Sequence, residues 1–154
     1  MIKKFFFIVP FSLVLLMCAG PEEVKLEFRI AEDEPAPGLT EMIFTPTGES
    51  FFLHNEVLLN ETDIDSAFVI IQNERPAIQL VLKTEGSRKF EELTENNVGK
   101  RCGMILNGEL VSAPRIKAPI RVGLAIISGI FTKDEADHIA EKLSQIKIYS
   151  KFSF

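Results

Sequence analysis

The sequence predicts an α+β fold, an antiparallel or mixed sheet of about five strands with two helices packed on one of its faces. Three observations support this. Several short segments alternate apolar and polar residues, which indicates strands with one buried face. Asn107-Gly108 lies between two apolar runs and favours a tight hairpin. Two segments repeat apolar residues at helical spacing. Strands joined mostly by hairpins, together with two helices, are typical of the α+β class.

The first part of the chain predicts one strand and then a loop. Apolar and charged residues alternate over residues 24–30, so we expect a strand there. Acidic residues and prolines follow over residues 31–40, a composition that resists packing and predicts a mobile loop. Residues 46–48 then favour a turn ahead of a second apolar stretch at 51–59.

The middle of the chain predicts a hairpin of two strands. Residues 60–65 come first and are expected to form a loop or a single helical turn, with Thr62 or Asp63 as its cap. The run 67–71 is continuously apolar, which is typical of a strand buried on both faces. A polar turn separates it from residues 78–82, where alternation returns, so an antiparallel hairpin is the simplest interpretation.

A helix and a second hairpin are expected next. Ser87 is the predicted cap of the helix, and Gly99 falls where a left-handed C-terminal cap would lie. At the hairpin turn Asn107-Gly108, both residues must adopt positive φ. Two later prolines are expected to end regular pairing.

The last elements are one strand and the helix with the clearest start. Residues 124–127 form the last candidate for a central strand. Thr132 and Glu135 have the spacing of a capping box. Apolar residues then recur on one helical face: Ala136, Ile139, Ala140 and Leu143. For residues 146–154 we leave an edge strand and a frayed end as alternatives.

The first twenty residues carry the features of an export signal. Two lysines precede an apolar run at 5–17, which is too short for a comfortable membrane span. Residues 15–18 resemble a bacterial lipobox, in which Cys18 would carry lipid and become the mature N-terminus. A retained N-terminal anchor is one alternative, and Cys18 as an ordinary apolar residue of the signal is another. We therefore expect an exported protein, lipid-anchored on the periplasmic side of a bacterial membrane.

Charge and cysteine content narrow the function classes. Without the two lysines of the signal, 15 basic residues stand against 22 acidic ones. An acidic chain without a basic stripe is a poor nucleic-acid binder, so no nucleic acid is expected as a partner. Cys18 and Cys102 are the two cysteines. A disulfide framework is therefore not expected, and burial of apolar residues has to stabilise the domain.

The sequence contains no pattern that predicts catalysis. His54 and His138 are the two histidines, and each is expected on the solvated surface rather than in a metal site. Cys102 is expected to be buried and inert, with its neighbour Arg101 on the opposite face of a strand. We therefore predict no catalytic, cofactor-binding or metal-binding residue, no cofactor and no small-molecule substrate. On these grounds the chain is not expected to be an enzyme.

Five segments together resemble a known family. They are residues 26–29, 58–67, 90–100, 107–114 and 128–136. In this order and at this spacing, they resemble the first periplasmic domain of SecD, the membrane subunit that assists bacterial protein export, and chiefly its head subdomain. The intramembrane acidic residues of that machinery have no counterpart in this sequence. The resemblance therefore implies a stand-alone, head-like module rather than a translocation motor.

The resemblance also implies a division of the chain and a function. Residues 1–20 are the signal peptide, 21–50 a leading strand with a flexible acidic loop, 51–148 the head-like domain, and 149–154 a tail. The implied function is non-catalytic contact with exported polypeptide or an envelope protein, for which an exposed sheet edge could add a peptide strand. No peptide-binding residues are assigned. The competing hypothesis is a small periplasmic enzyme of unknown reaction that uses His54 or His138.

Overall fold

The computed structural model describes residues 23–149, with side chains described as far as Ser144. The predicted signal peptide, Cys18 and residues 150–154 of the predicted tail lie outside the described residues. Among residues 23–149, no helix is long and apolar enough to span a membrane. The described strands are β1 (Leu26–Glu32), β2 (Thr40–Phe44), β3 (Glu49–Leu53), β4 (Leu59–Asn60), β5 (Ile64–Gln72), β6 (Arg75–Leu82), β7 (Arg101–Leu106), β8 (Glu109–Ser112) and β9 (Leu124–Ile127). The helices are α1 (Thr84–Asn96) and α2 (Lys133–Tyr149), and a single 3₁₀ turn spans Glu61–Asp63.

These strands form two antiparallel sheets. The first sheet has the order β2-β3-β1-β7-β8, with β4 also paired to β1. Strand β2, at one end of this order, contacts β8 at the other, so the sheet curls over on itself. The second sheet has the order β5-β6-β9. The predicted α+β class with antiparallel strands and two helices is confirmed, and the structure divides the strands between two sheets.

The main core lies between the two sheets and both helices. Strand β1 is central in the first sheet and contributes the fully buried Leu26 and Phe28. The ring of Phe28 meets that of Phe90 from α1 edge to face, with centroids 6.0 Å apart. Ile78 and Leu80 of β6 close the core from the second sheet. Helix α2 adds the four apolar residues of its predicted face, all of them buried.

A smaller core fills the inside of the curled first sheet. Leu53, Ile105 and Leu110 are buried there, on the face of the sheet that points away from the main core. Phe51 belongs to the same cluster, and the Arg101 guanidinium lies over its ring, 4.7 Å from the centroid. Strand β7 of the first sheet is therefore buried on both of its faces.

Several predicted turns and caps are confirmed. Asn107 has φ +50° and Gly108 φ +87°, as the predicted hairpin between β7 and β8 requires. Gly99 also has positive φ, at +92°. At the start of α2, the Thr132 N–H donates to Glu135 Oε2 at 2.8 Å, and the Glu135 N–H donates to Thr132 Oγ1 at 3.3 Å. This is the reciprocal capping box predicted from the sequence.

Two predicted caps are wrong. The 3₁₀ turn is capped by Asn60, whose side chain accepts from the Thr62 N–H at 2.9 Å. Asp63 takes part only as the second member of the capping box, accepting from the Asn60 N–H at 3.1 Å. Helix α1 begins at Thr84 rather than after Ser87. The reason is that the Ser87 N–H already donates to the carbonyl of Lys83, at 2.8 Å, which places Ser87 inside the first turn.

Three predictions about exposure and the last elements also need correction. Strand β5 is not buried on both faces, because the side of the second sheet that carries Phe68 and Ile70 faces away from the main core. Phe68 on that side is 54% exposed, and Ile71 on the opposite side is 68% exposed. Strand β9 lies at an edge of its sheet rather than at the centre. Residues 146–149 continue α2 and do not form an edge strand, and residues 150–154 lie outside the described residues.

The acidic loop is shorter than predicted. Strand β1 continues to Glu32, so the loop occupies residues 33–39. Its first residue, Asp33, pairs with Arg101 at 2.5 Å and with Arg115 at 2.6 Å. These pairs tie the start of the loop to β7 and to the segment after β8. The mobility of the rest of the loop stays a prediction.

Candidate functional site

The longest strand edge left open in the described residues belongs to β5. This strand pairs with β6 on one side only. On the other side of β6, the Leu82 N–H donates to the Gly123 carbonyl at 2.9 Å, so even-numbered residues of β6 bond toward β9. Hydrogen bonding alternates along an antiparallel strand. The register of β5 with β6 therefore points the N–H and C=O groups of Val69 and Ile71 away from the sheet.

Side-chain and turn geometry limit this open edge at both ends. At one end, the Ala67 N–H donates to Ser144 Oγ of α2 at 3.0 Å, and that hydroxyl lies 3.3 Å from the Ala67 carbonyl oxygen. At the other end, the chain turns at Asn73, with φ +50°. Residues 68–72 remain between these limits. We call this segment the free edge.

Apolar side chains surround the free edge. Phe68 and the half-buried Ile70 point to the side of the sheet opposite Val69, which packs against the main core. The strand register places Ile126 of β9 in the same cross-strand row as Phe68, with the polar Gln79 of β6 between them. Residues 68–72 contain no charged side chain. The free edge thus combines unpaired backbone groups with exposed apolar contacts, the two features that strand addition needs.

A second candidate is an open groove of about 600 Å³. It lies between the turn after β2, the β7–β8 hairpin and the start of α2. Its apolar lining residues are Pro46, Leu106, Leu110, Val111, Ile130, Phe131 and Ile139. Glu109 and Glu135 are its two carboxylates, and Glu135 is already engaged by Thr132 in the capping box. Such a groove can take apolar side chains, but it offers no set of groups arranged for catalysis.

The two histidines lie on different elements. His54 follows β3, and its Nε2 is 3.1 Å from Glu32 Oε1. Lys100 Nζ donates to the same oxygen at 2.8 Å. The hydrogen bonds from Lys100 and then from His54 lower the pKa of the Glu32 carboxyl. His138 is exposed on α2. Within residues 23–149, no three His, Cys, Asp or Glu side chains are grouped to hold a metal ion.

Cys102 is buried, as predicted from its strand. Burial raises the pKa of its thiol to about 12, so it is neutral at physiological pH and a poor nucleophile. Its neighbour Arg101 points to the opposite face of β7, where it stacks on Phe51. Cys18, the predicted lipid anchor, lies outside the described residues.

The sequence indicated that an exposed edge could bind peptide but did not identify the strand. The prediction that residues 67–71 form a strand buried on both faces excluded this strand from the candidate edges. One signal was available in the sequence. From Ser66 to Gln72 the run carries no charge and then meets a polar turn, whereas edge strands are usually protected by charged residues or proline.

Comparisons with known proteins agree on one relationship. Residues 39–145 match the family described as "SecDF, P1 head subdomain". The protein translocase subunit SecDF of Thermus thermophilus is 40% identical over 84 residues, which cover 54% of this chain and 11% of that protein. The protein translocase subunit SecD of Aquifex aeolicus is 31% identical over 131 residues, covering 84% of this chain and 25% of that protein. The chain thus spans a quarter or less of these relatives' length.

Solved structures give the same match. A structure of a membrane component SecDF that enhances protein export superposes with a TM-score of 0.64 and 26% identity. The match covers 79% of this chain and 62% of that one. SecDF in its super-membrane-facing form gives a TM-score of 0.65 and 27% identity over 79% of this chain and 18% of that one.

Proposed function

This chain belongs to the SecDF P1 head subdomain family, and on that premise we propose that it is a non-catalytic binding module on the periplasmic side of a bacterial membrane. Its ligand is an exported polypeptide in extended form. The binding site is the free edge of β5, where the polypeptide adds as an antiparallel strand.

The observation that carries this proposal is the pair of unsatisfied residues at the free edge. Val69 and Ile71 each present one N–H and one C=O that no described group bonds. A strand laid beside them would gain backbone hydrogen bonds that do not depend on its sequence. Phe68 and Ile70 would add apolar contacts along one side of that strand. This combination suits a ligand that is extended, apolar in part and variable in sequence.

Replacing Ile71 with proline tests the site. The Ile71 N–H points away from β6, so proline removes an outward donor and leaves the β5–β6 pairing intact, as is tolerated on edge strands. The dissociation constant for a reduced, unfolded exported protein should rise roughly tenfold, the equivalent of about 1.4 kcal/mol. Fluorescence anisotropy of the labelled polypeptide measures it.

Ile71→Ala is the matched control. It removes the same exposed side chain but keeps the backbone donor, so its affinity should stay within about threefold of the wild type, because that side chain is largely solvated. Equal binding by Ile71→Pro and wild type would rule out strand addition at this edge.

The histidines distinguish the proposal from the competing enzyme hypothesis. A double variant, His54→Ala with His138→Ala, should complement a deletion strain as well as the wild type does, because neither residue lies at the free edge. Loss of complementation, with the variant still folded and present at normal amounts, would instead support the enzyme.

The membrane attachment is a separate proposal. We place it at Cys18, through lipid, on the resemblance of residues 15–18 to a lipobox. The protein should then incorporate labelled palmitate and partition into detergent, and Cys18→Ser should abolish both. An unmodified mature N-terminus at Ala19 or beyond would contradict lipidation.

A further inference from the structure

We infer that, without polypeptide, the free edge of β5 pairs with the free edge of a second copy of this chain. The two strands run antiparallel about a two-fold axis that passes beside Ile70, and the two three-stranded sheets join into one of six strands. The pairing follows from the geometry alone, whereas its effect on polypeptide binding rests on the proposed function.

The first argument is the lack of protection along this edge. Natural edge strands are usually short, charged, interrupted by proline, or bulged. Residues 68–72 have none of these features, and the irregularity in the β5–β6 register lies upstream, between Ile64 and Ser66. The other open strand of this sheet, β9, has only four residues. In the first sheet, β2 and β8 lie against each other. The free edge is therefore the part of the described chain best suited to pairing.

The second argument is that one strand register lets every unpaired backbone N–H and C=O group of Val69 and Ile71 form a hydrogen bond. With Val69 opposite Ile71 of the second copy, and Ile71 opposite its Val69, both residues of both copies exchange hydrogen bonds. Placing Val69 opposite itself would bring Ile71 against Ala67, whose N–H is already bonded to Ser144. Placing Ile71 opposite itself would bring Val69 against Asn73, which lies in the turn. The first register avoids both conflicts.

The side chains fit the same register. Ile70 lies opposite Ile70 of the second copy, on the exposed face of the sheet. Phe68 lies opposite Gln72, so its exposed ring gains a cross-strand neighbour. No charge lies in either paired segment, and like charges therefore do not oppose each other across the two-fold axis. The surface is complementary to itself, as a symmetric dimer interface must be.

The consequence is competition for one set of backbone groups. The N–H and C=O groups of Val69 and Ile71 can bond to a second copy or to a polypeptide, but not to both. Pairing of two copies would protect the edge when no polypeptide is present. Polypeptide binding should then separate them.

A cysteine at position 70 tests the register. In this arrangement the two Ile70 residues form a pair without mutual backbone hydrogen bonds, with Cα atoms about 4.5 Å apart. That separation lies within the range of disulfides, about 4.4–6.8 Å. Under mild oxidation of the full chain in its membrane, Ile70→Cys should give at least tenfold more disulfide-linked dimer than the wild type. The wild-type protein serves as the control for background disulfide linkage through Cys18 or Cys102.

Phe68→Cys is the matched control on the same face of the same strand. Across the two-fold axis its two copies are offset by four residues, about 13 Å at 3.3 Å per residue, which is too far for a disulfide. It should cross-link no more than the wild type. Equal linkage at positions 68 and 70, or none above wild type at position 70, would overturn the pairing.

Two further measurements separate this inference from the proposed function. Ile71→Pro should shift the detergent-solubilised protein from dimer to monomer in sedimentation, whereas Ile71→Ala should not. An added unfolded polypeptide should lower cross-linking of Ile70→Cys severalfold. Cross-linking that forms but does not respond to polypeptide would support the dimer and count against the use of the free edge for polypeptide.

Discussion

Replacing Phe28 with alanine should lower the free energy of unfolding by about 3–5 kcal/mol, the range for removing a large aromatic side chain from a well-packed core. Phe28 is fully buried at the centre of β1, which pairs with β3, β4 and β7. Its ring also packs against Phe90 of α1. The substitution would leave a cavity between a sheet and a helix, where the rigid strand pairings limit collapse.

Denaturant unfolding of the purified protein, followed by circular dichroism, measures this loss. Phe68→Ala is the matched control, because it deletes the same side chain from an exposed sheet face. Its effect should stay within about 1 kcal/mol, since little apolar surface is buried there. Similar losses for Phe28→Ala and Phe68→Ala would contradict the placement of the main core.

Replacing Gly86 with alanine should also destabilise the protein, by about 1–3 kcal/mol. Gly86 is buried within α1, against the 3₁₀ turn. A Cβ atom there would lie 2.6 Å from the Asp63 carbonyl oxygen and 3.0 Å from the Asp63 Cβ. That carbonyl cannot move away easily, because it accepts a hydrogen bond from the Lys83 N–H at 2.9 Å.

The test is whether Gly86→Ala lowers or raises the stability of the protein. Helix propensity alone predicts the reverse, because alanine is favoured over glycine in a helix interior by about 1 kcal/mol. Thr84→Ala, at an exposed position of the same helix, has no such contact and should change stability by no more than about 0.5 kcal/mol. A melting temperature of Gly86→Ala above that of the wild type would show that α1 does not pack closely on Asp63.

The type of candidate site, an open sheet edge, could be predicted from the sequence, but the strand that provides it could not. The sequence indicated that a sheet edge could bind peptide, and its acidic balance predicts that nucleic acid is not a partner. The identity of the edge depends on which strands pair, and strand order is a property of contacts between residues far apart in the chain. The hydrogen bond from Ala67 to Ser144, 77 residues away in sequence, limits the free edge at one end. No local sequence pattern predicts that bond.

What the sequence by itself determined is local in origin. Asn107-Gly108 specifies its turn because few residues adopt positive φ at low cost, and Thr132 with Glu135 specifies the start of α2 through hydrogen bonds three residues apart. The order and spacing of such segments also carried the family resemblance. The tertiary structure alone decided that the strands form two sheets and that one side of β5 is uncovered. An apolar run such as residues 67–71 indicates only that its side chains can be buried. Whether they are buried depends on what packs against each face, and that is set by distant parts of the chain.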